Sequence, residues 1–269
     1  MGPRPRVSSD FLVEDDWTDL VRARHAMLAR FLSWAAEREA TNSMRLARRP
    51  DIARTARVSN AFDEGWWAAV VYSCFDAEAG TLAVSRAFRS PVPPEVAGCL
   101  LADIDLPEGA VGGHRIQPAH RGAKTALVSA CERAGAFESI LTTGTGFHDR
   151  FVALRDLRAP QWGRTTCYDL LVRTGQLKIG TVSPYEPDRA YLADSTGPRK
   201  GFELIWGIAV TRSNAEACEA LLRRWTNGWE KVAGAVGVQW RHEPYRSGDF
   251  ENALCIFQER GNPGYGLLG

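Results

Sequence analysis

Apolar residues recur at steps of three and four along most of the 269-residue chain, a spacing typical of helices that bury one face. The pattern is clearest from Asp16 to Arg49. Further helices are predicted over residues 51–60, 63–75, 82–88, 123–134, 147–155, 165–174, 188–193, 214–233 and 249–260. A weak strand pattern is confined to residues 202–210. The sequence therefore predicts a mainly α protein.

The segments between these helices predict how the chain is organised. Residues 1–15 contain Pro and Arg without apolar periodicity, and we expect a flexible lead-in there. The Pro- and Gly-rich segment from Pro91 to Gly122 is predicted to be a connector. No internal repeat is present, so residues 16–269 are expected to form a single mostly helical domain.

Composition excludes several classes of protein. A formal net charge of +1 is too small for a basic scaffold that coats polyanions. The six cysteines form no CxxC pair, and no cysteine or histidine has the spacing of zinc ligands, so we expect no metal site made of side chains. The N-terminus has no apolar signal-peptide core, and no apolar run reaches membrane-spanning length. We expect a cytoplasmic protein with reduced thiols.

The most informative turn lies within RAPQWGRTTCYDLL, at residues 158–171. Pro160 ends one helix, and Gly163 is expected to provide a positive φ before the next helix begins. The amides from Gly163 to Thr166 would then face an anion, with the Arg164 guanidinium beside them. Such a turn can bind a DNA phosphate without reading the base sequence. The alternative is a plain connection in which the glycine serves packing.

This turn resembles the hairpin of the helix-hairpin-helix DNA glycosylases, whose pattern is Leu-Pro-x-x-Gly-x-x-Thr/Ala. Pro160, Gly163 and Thr166 match that pattern. Gln161 replaces the first glycine of the usual hairpin, and Thr165 stands where bifunctional members carry a catalytic lysine. The resemblance implies a helix-hairpin-helix DNA glycosylase-like helical domain with its hairpin at about residues 158–175, without Schiff-base chemistry. It also implies a possible monovalent cation at the hairpin and no other cofactor.

An aspartate that follows the hairpin by about twenty residues is the catalytic group that this resemblance implies. Asp188, in SPYEPDRAYLA, is the first candidate, because a carboxylate there could stabilise an oxocarbenium-like sugar or position a water. Glu186 and Asp169 are the alternatives. Asp188 could equally be a helix N-cap.

A narrower resemblance covers scattered blocks between residues 55 and 260. The runs GRTTCYDLL, PDRAYLADSTGPRKGFELIWG and DFENALCIFQ are similar to the alpha-glutamyl/putrescinyl thymine pyrophosphorylase group. That group implies action on hypermodified thymines, mainly in phage DNA. The segment STGPRKG is expected to be a loop, in which Arg199 and Lys200 could contact phosphate or pyrophosphate. A solvated turn is the alternative.

A base pocket and a duplex wedge are the remaining candidate sites. Asn60 and Asp63 could read a flipped base by hydrogen bonds, with Trp66 and Tyr191 beside it, although Trp66 could equally be core. Burial explains Trp162 less easily, and its ring could wedge against the duplex.

Three functions follow from these features. The first is a monofunctional DNA glycosylase that excises a flipped-out modified pyrimidine, with a possible role in phage defence. The second is a transferase that replaces pyrophosphate on a 5-pyrophosphorylmethyl-uracil base with an amine or amino acid. The third is a non-catalytic DNA-binding module. The hairpin and downstream aspartate favour the glycosylase narrowly. In each case the partner is DNA that carries modified bases, and the sequence leaves the oligomeric state open.

Overall fold

The computed structural model describes residues 18–40, 48–112, 119–143, 146–177, 187, 189–242, 245 and 247–260. Fourteen α-helices and one short 3-10 helix account for most of these residues, and none of them lies in a strand. The prediction of a mainly α protein is confirmed. The specific arrangement of a helix-hairpin-helix glycosylase stays a prediction.

The chain divides into two compact units. We call residues 48–186 the central unit, and residues 1–47 together with 187–269 the terminal unit. Two such units can belong to one domain, so the expected single domain stays a prediction. The predicted lead-in, residues 1–15, lies outside the described residues.

The central unit is built around one helix that is apolar on all sides. This helix is α4, GWWAAVVYSCF, and its residues 66–75 are all buried. A helix without a polar face has to be surrounded by other elements, and α3, α5, α7, α8 and α10 pack against it. The helices of this unit are α3 (Arg48–Ser59), α4 (Gly65–Phe75), α5 (Glu78–Ser85), α6 (Pro94–Ala102), α7 (Ala119–Glu132), α8 (Ala134–Thr143), α9 (Phe147–Asp156) and α10 (Arg164–Gln176).

The terminal unit has an aromatic core. Trp225 stacks on Trp229 with ring centroids 5.4 Å apart, and Trp206 meets Trp225 edge-on at 5.0 Å. Phe31 and Phe250 complete the centre of this cluster. The elements of the unit are α1 (Thr18–Ala23), α2 (His25–Ala40), a 3-10 helix (Leu192–Asp194), α11 (Gly197–Trp206), α12 (Ala215–Asn227), α13 (Trp229–Ala235) and α14 (Ser247–Arg260).

Several sequence predictions of secondary structure are wrong, and α8 was not predicted. The predicted connector contains α6, which begins at Pro94. Proline is compatible with the first turn of a helix, because the N–H groups there have no partner within the helix and proline has no N–H. The expected strand at 202–210 is instead the end of α11, which stops at Gly207 with φ +70°. The predicted helix at 188–193 is reduced, among the described residues, to the 3-10 turn Leu192–Asp194.

Candidate nucleic-acid interface

The Pro-x-x-Gly turn joins α9 to α10, as the sequence predicts, but its backbone differs from the expectation. Gly163 is the N-cap of α10 with an extended backbone, φ −75° and ψ −176°, and its carbonyl accepts the Cys167 N–H at 3.1 Å. The positive φ angles lie at Gln161 (+66°) and Arg158 (+47°). The expectation for Gly163 is therefore wrong, and the tight backbone falls on Gln161, the position where the usual hairpin has its first glycine.

The tip of the turn is fixed against α7. The Trp162 Nε1–H donates to the Ala126 carbonyl at 3.0 Å, and the Trp162 ring lies 4.6 Å from the Phe137 ring. The Ser129 hydroxyl donates to the Pro160 carbonyl at 2.9 Å. Trp162 is only 4% exposed, so the expected duplex wedge is wrong. The indole serves instead to anchor the turn.

The outer side of the turn remains open. Gln161, Gly163 and Thr165 are exposed, and a Cβ added at Gly163 would meet nothing within 4 Å. The N-cap residue, Gly163, has no side chain with which to cap the start of α10. The Arg164 guanidinium lies 5.0 Å from the centre of the Tyr168 ring, which gives it a fixed place beside these amides.

Thr166, by contrast, belongs to the inside of the turn. Its side chain is buried, and its hydroxyl donates to the Gln161 carbonyl at 3.5 Å. Two exposed arginines that the sequence did not single out, Arg155 and Arg158, lie at the end of α9 and in the turn. Like Arg164, they precede or begin α10 within ten residues of its first turn, and positive charge near a helix start suits a phosphate.

The opposite end of α10 is held by a buried ion pair. The Arg173 guanidinium donates to the Asp76 carboxylate and, at 3.1 Å, to the Ser73 hydroxyl, and it lies 4.3 Å from the centre of the Tyr72 ring. Arg173 is 6% exposed. These contacts tie α10 to the C-terminal end of α4. Their sequence separation of about one hundred residues left no local pattern by which to predict them.

The candidate catalytic carboxylates divide into two groups. Asp169 is half-buried on α10, in the turn of helix that follows the open start. Asp188 and Glu186 lie outside the described residues. The catalytic assignment of all three stays a prediction.

Arg199 and Lys200 lie in the first turn of α11 and not in a loop, so the expected STGPRKG loop is wrong. The two glycines of this segment are required for packing. A Cβ at Gly197 would lie 2.4 Å from Cys255 Sγ, and a Cβ at Gly201 would lie 2.2 Å from the Leu254 carbonyl oxygen. Lys200 is exposed and Arg199 is half-buried, and their contact with nucleic acid stays a prediction.

The candidate base-pocket residues differ in their surroundings. Trp66 is 5% exposed and packs edge-on against Trp67, so it is part of the core. Asn60 is exposed. The Asp63 carboxylate accepts hydrogen bonds from Ser90 at 2.7 Å and Arg89 at 2.8 Å, and these bonds lower its pKa.

Tyr191 belongs to the terminal unit, whereas the other three base-pocket candidates belong to the central unit. It is buried and has a left-handed backbone with φ +52°. A base pocket made from Asn60, Asp63 and Tyr191 stays a prediction.

Glu219 is a buried carboxylate that the sequence did not single out. Its two oxygens accept the N–H groups of Ala190 at 2.9 Å and Leu192 at 2.7 Å, on either side of Tyr191. Burial raises the pKa of the Glu219 carboxyl, and the two backbone hydrogen bonds act in the opposite direction. This clamp fixes the left-handed turn that leads into α11. A glutamate within an amphipathic helix has no sequence signal that distinguishes it from a solvated one.

The described residues contain neither a side-chain metal site nor a membrane-spanning helix. Among the described residues, no group of His, Cys, Asp and Glu side chains could hold a metal ion. A monovalent cation at the hairpin stays a prediction. None of the helices in the described ranges is both long and apolar enough to cross a membrane.

An anchored turn, an uncapped helix start and surrounding arginines define the class of a helical protein with a surface suited to DNA phosphate. The comparison with protein families gives the particular family. Residues 116–264, more than half of the chain, match the family ADDT, amino acid:DNA transferase, and the chain belongs to this family. The match confirms the expected relation to enzymes of thymine hypermodification. No curated protein and no solved structure matches the chain.

Family membership also distinguishes between the predicted functions. It indicates an enzyme that acts on DNA, and it favours the transferase, the second of the three functions, over the glycosylase. The glycosylase interpretation receives no support from the family. Modified bases, a role in phage defence and a cytoplasmic location stay predictions.

Proposed function

We propose that this protein transfers an amino acid or another amine onto an activated thymine base in DNA and releases pyrophosphate. The observation that carries this proposal is the family match over residues 116–264. The matched range includes α7, α9 and α10, which together form the anchored turn and its open helix start.

The turn would hold the DNA strand. The open start of α10 offers backbone amides and the positive end of a helix dipole to a phosphate. Arg164, Arg158 and Arg155 add positive charge around the same point. These contacts carry no sequence information, so they suit an enzyme that has to approach many positions on DNA.

The proposed reaction is a substitution at carbon. The donor nitrogen attacks the methylene carbon of a 5-pyrophosphorylmethyl-uracil base and forms a C–N bond. The C–O bond to the pyrophosphoryl group breaks and its electron pair leaves with pyrophosphate. The nitrogen then loses a proton, for which a carboxylate is a suitable acceptor. Asp169, Asp188 and Glu186 are our candidates for this base.

The side chains of the turn also fit a substitution without a covalent enzyme intermediate. Thr165 occupies the position at which related lyases carry a lysine, and its hydroxyl cannot form a Schiff base. The bond that changes in the proposed reaction lies outside the sugar, so the N-glycosidic bond stays intact. This is the difference that separates a transferase from a glycosylase in an assay.

The test is mass spectrometry of nucleosides after incubation of the protein with DNA that contains 5-pyrophosphorylmethyl-deoxyuridine and a mixture of the twenty standard amino acids. We expect an intact nucleoside whose mass differs from that of 5-pyrophosphorylmethyl-deoxyuridine by the gain of one amino acid and the loss of one pyrophosphoric acid, together with free pyrophosphate. Arg164→Gln should reduce the rate through weaker DNA binding. Arg133→Gln, which removes a half-buried arginine paired with its neighbour Glu132, is the matched control.

Two results would contradict the proposal. Release of a free modified base with alkali-sensitive abasic strands would establish a glycosylase instead. Unchanged DNA with every donor, together with salt-sensitive DNA binding, would leave a non-catalytic binding module.

A further inference from the structure

A groove between α6 and α7 lies beside the anchored turn. Its volume is about 660 Å³, within the range of about 300–1,000 Å³ that is typical of small-molecule pockets. The floor is mainly apolar and the rim carries polar side chains. The lining residues that matter here are Leu101, Ile104, Asp105, Leu106, Arg121 and Thr125.

Helix α7 connects the groove to the turn. Gly122, Ala126 and Ser129 follow one stripe of α7 at helical spacing, and all three meet the turn. Arg121, Thr125 and Val128 follow the neighbouring stripe, one residue earlier in each turn, and they line the groove. Residues one position apart on a helix are rotated by about 100°, so the two stripes are adjacent. A molecule in the groove would lie beside the DNA contact that we propose.

The floor of the groove is held in place by Lys124. Its ammonium donates to the Leu101 carbonyl at 2.5 Å and to the Ile104 carbonyl at 3.1 Å, at the end of α6. Because the Lys124 ammonium is used in these two hydrogen bonds, we assign it a structural role and not a ligand contact. Arg121 is left as the exposed cation of this rim among the described residues.

The rim carries two opposite charges that do not neutralise each other. Arg121 and Asp105 both line the groove and are exposed. Neither side chain forms a hydrogen bond or an ion pair with any residue in the described part of the chain. A cation and an anion at one rim above an apolar floor complement the carboxylate and ammonium groups of an amino acid. A DNA strand would be repelled by Asp105.

We propose that the α6–α7 groove binds the amino-acid donor, with Arg121 holding its α-carboxylate and Asp105 its ammonium group. The proposal rests on the proposed transfer reaction and adds the place and the chemical class of the second substrate. Since part of the groove precedes residue 116, the donor site extends outside the part of the chain that matches the family model.

Binding of the donor can be measured without the transfer reaction. We would titrate the ¹⁵N-labelled full chain separately with each of the twenty standard amino acids and follow amide chemical shifts. At least one amino acid should shift the amides of Arg121 and Thr125. Arg121→Met should weaken its binding about tenfold or more, the loss expected for one charge-assisted hydrogen bond. Arg86→Met, which removes an exposed arginine outside the groove and outside the proposed DNA contact, should leave binding unchanged.

A second variant tests the other half of the recognition. Asp105→Asn should weaken binding of the same amino acid, and the decarboxylated amine of that amino acid should bind wild type and Arg121→Met equally. If no amino acid binds at millimolar concentration, or if Arg121→Met binds as tightly as wild type, the groove is not the donor site. If transfer is observed without such binding, only the assignment of the groove as the donor site is wrong. Binding without transfer would contradict only the proposed reaction.

Discussion

The starts of helices α10 and α11 contain similar residues and differ in what their glycines do. Each has a glycine, a threonine and cations, the composition from which a phosphate contact is predicted. At α10, space is open around Gly163, whereas at α11 a Cβ on Gly201 would lie 2.2 Å from the Leu254 carbonyl oxygen. A glycine that a neighbouring helix requires is not evidence for a ligand. The glycines of α11 therefore serve packing, and an anion contact at the start of α10 stays our proposal.

The largest expected effect concerns the far end of α10. Arg173→Gln removes the buried ion pair with Asp76 and leaves that carboxylate without its cation, so we expect a loss of about 3–5 kcal/mol in unfolding free energy. Urea unfolding measures it. Arg57→Gln, which breaks the exposed pair with Glu78, is the matched control and should cost much less because water screens that pair. An equal loss in both variants would mean that α10 is not held chiefly by Arg173.

The next effect compares the two glycines directly. Gly201→Ala has to move α11 away from α14, and we expect a loss of about 1–3 kcal/mol or more in unfolding free energy. Gly163→Ala has open space and a φ that alanine readily adopts, so its unfolding free energy should change by less than about 1 kcal/mol. Both are measured by urea unfolding. Equal losses of unfolding free energy at the two sites would show that the two glycines do not differ in their packing.

A smaller effect concerns DNA binding. If Arg158 and Arg164 contact phosphates, replacing both with Gln should reduce the slope of log K against log salt by about two. Replacing Arg199 and Lys200 with Gln should leave this slope unchanged, because packing accounts for the glycines that suggested a phosphate loop there. Fluorescence anisotropy with an oligonucleotide at several salt concentrations gives both slopes. A reduced slope in the second variant would show that Arg199 or Lys200 also contacts DNA phosphates.

Local sequence patterns predicted the helices and the position of the turn, because these depend on neighbours in the chain. They did not predict which of two similar segments is open. Trp162 illustrates the reason, since its burial depends on Ala126 and Phe137, which local patterns do not place beside it. The roles of Arg173, Glu219 and the α6–α7 groove likewise depend on residues brought together by folding. Family resemblance, by contrast, suggested the transferase that the family match favours, but the sequence analysis placed it second.

The smallest expected effect is a pH dependence of the unfolding free energy that comes from Glu219, which holds the segment that leads into α11. Burial raises the pKa of the Glu219 carboxyl above its ordinary value, so the folded state binds this proton more tightly than the unfolded state. The stabilisation from Glu219 is therefore fully present below the unfolded pKa and is lost as pH rises through the folded pKa. The unfolding free energy of wild type minus that of Glu219→Gln should fall as pH rises.

Glu216 provides a control on the same helix, α12. Its hydrogen bonds to Arg223 and Arg189 lower the pKa of its carboxyl, so its stabilisation is present above the unfolded pKa and is lost as pH falls. The difference between wild type and Glu216→Gln should therefore rise with pH over the acid range. Urea unfolding at a series of pH values gives both differences. Two slopes of the same sign would show that Glu219 is not a buried carboxylate under desolvation, and the clamp in front of α11 would then lose its physical basis.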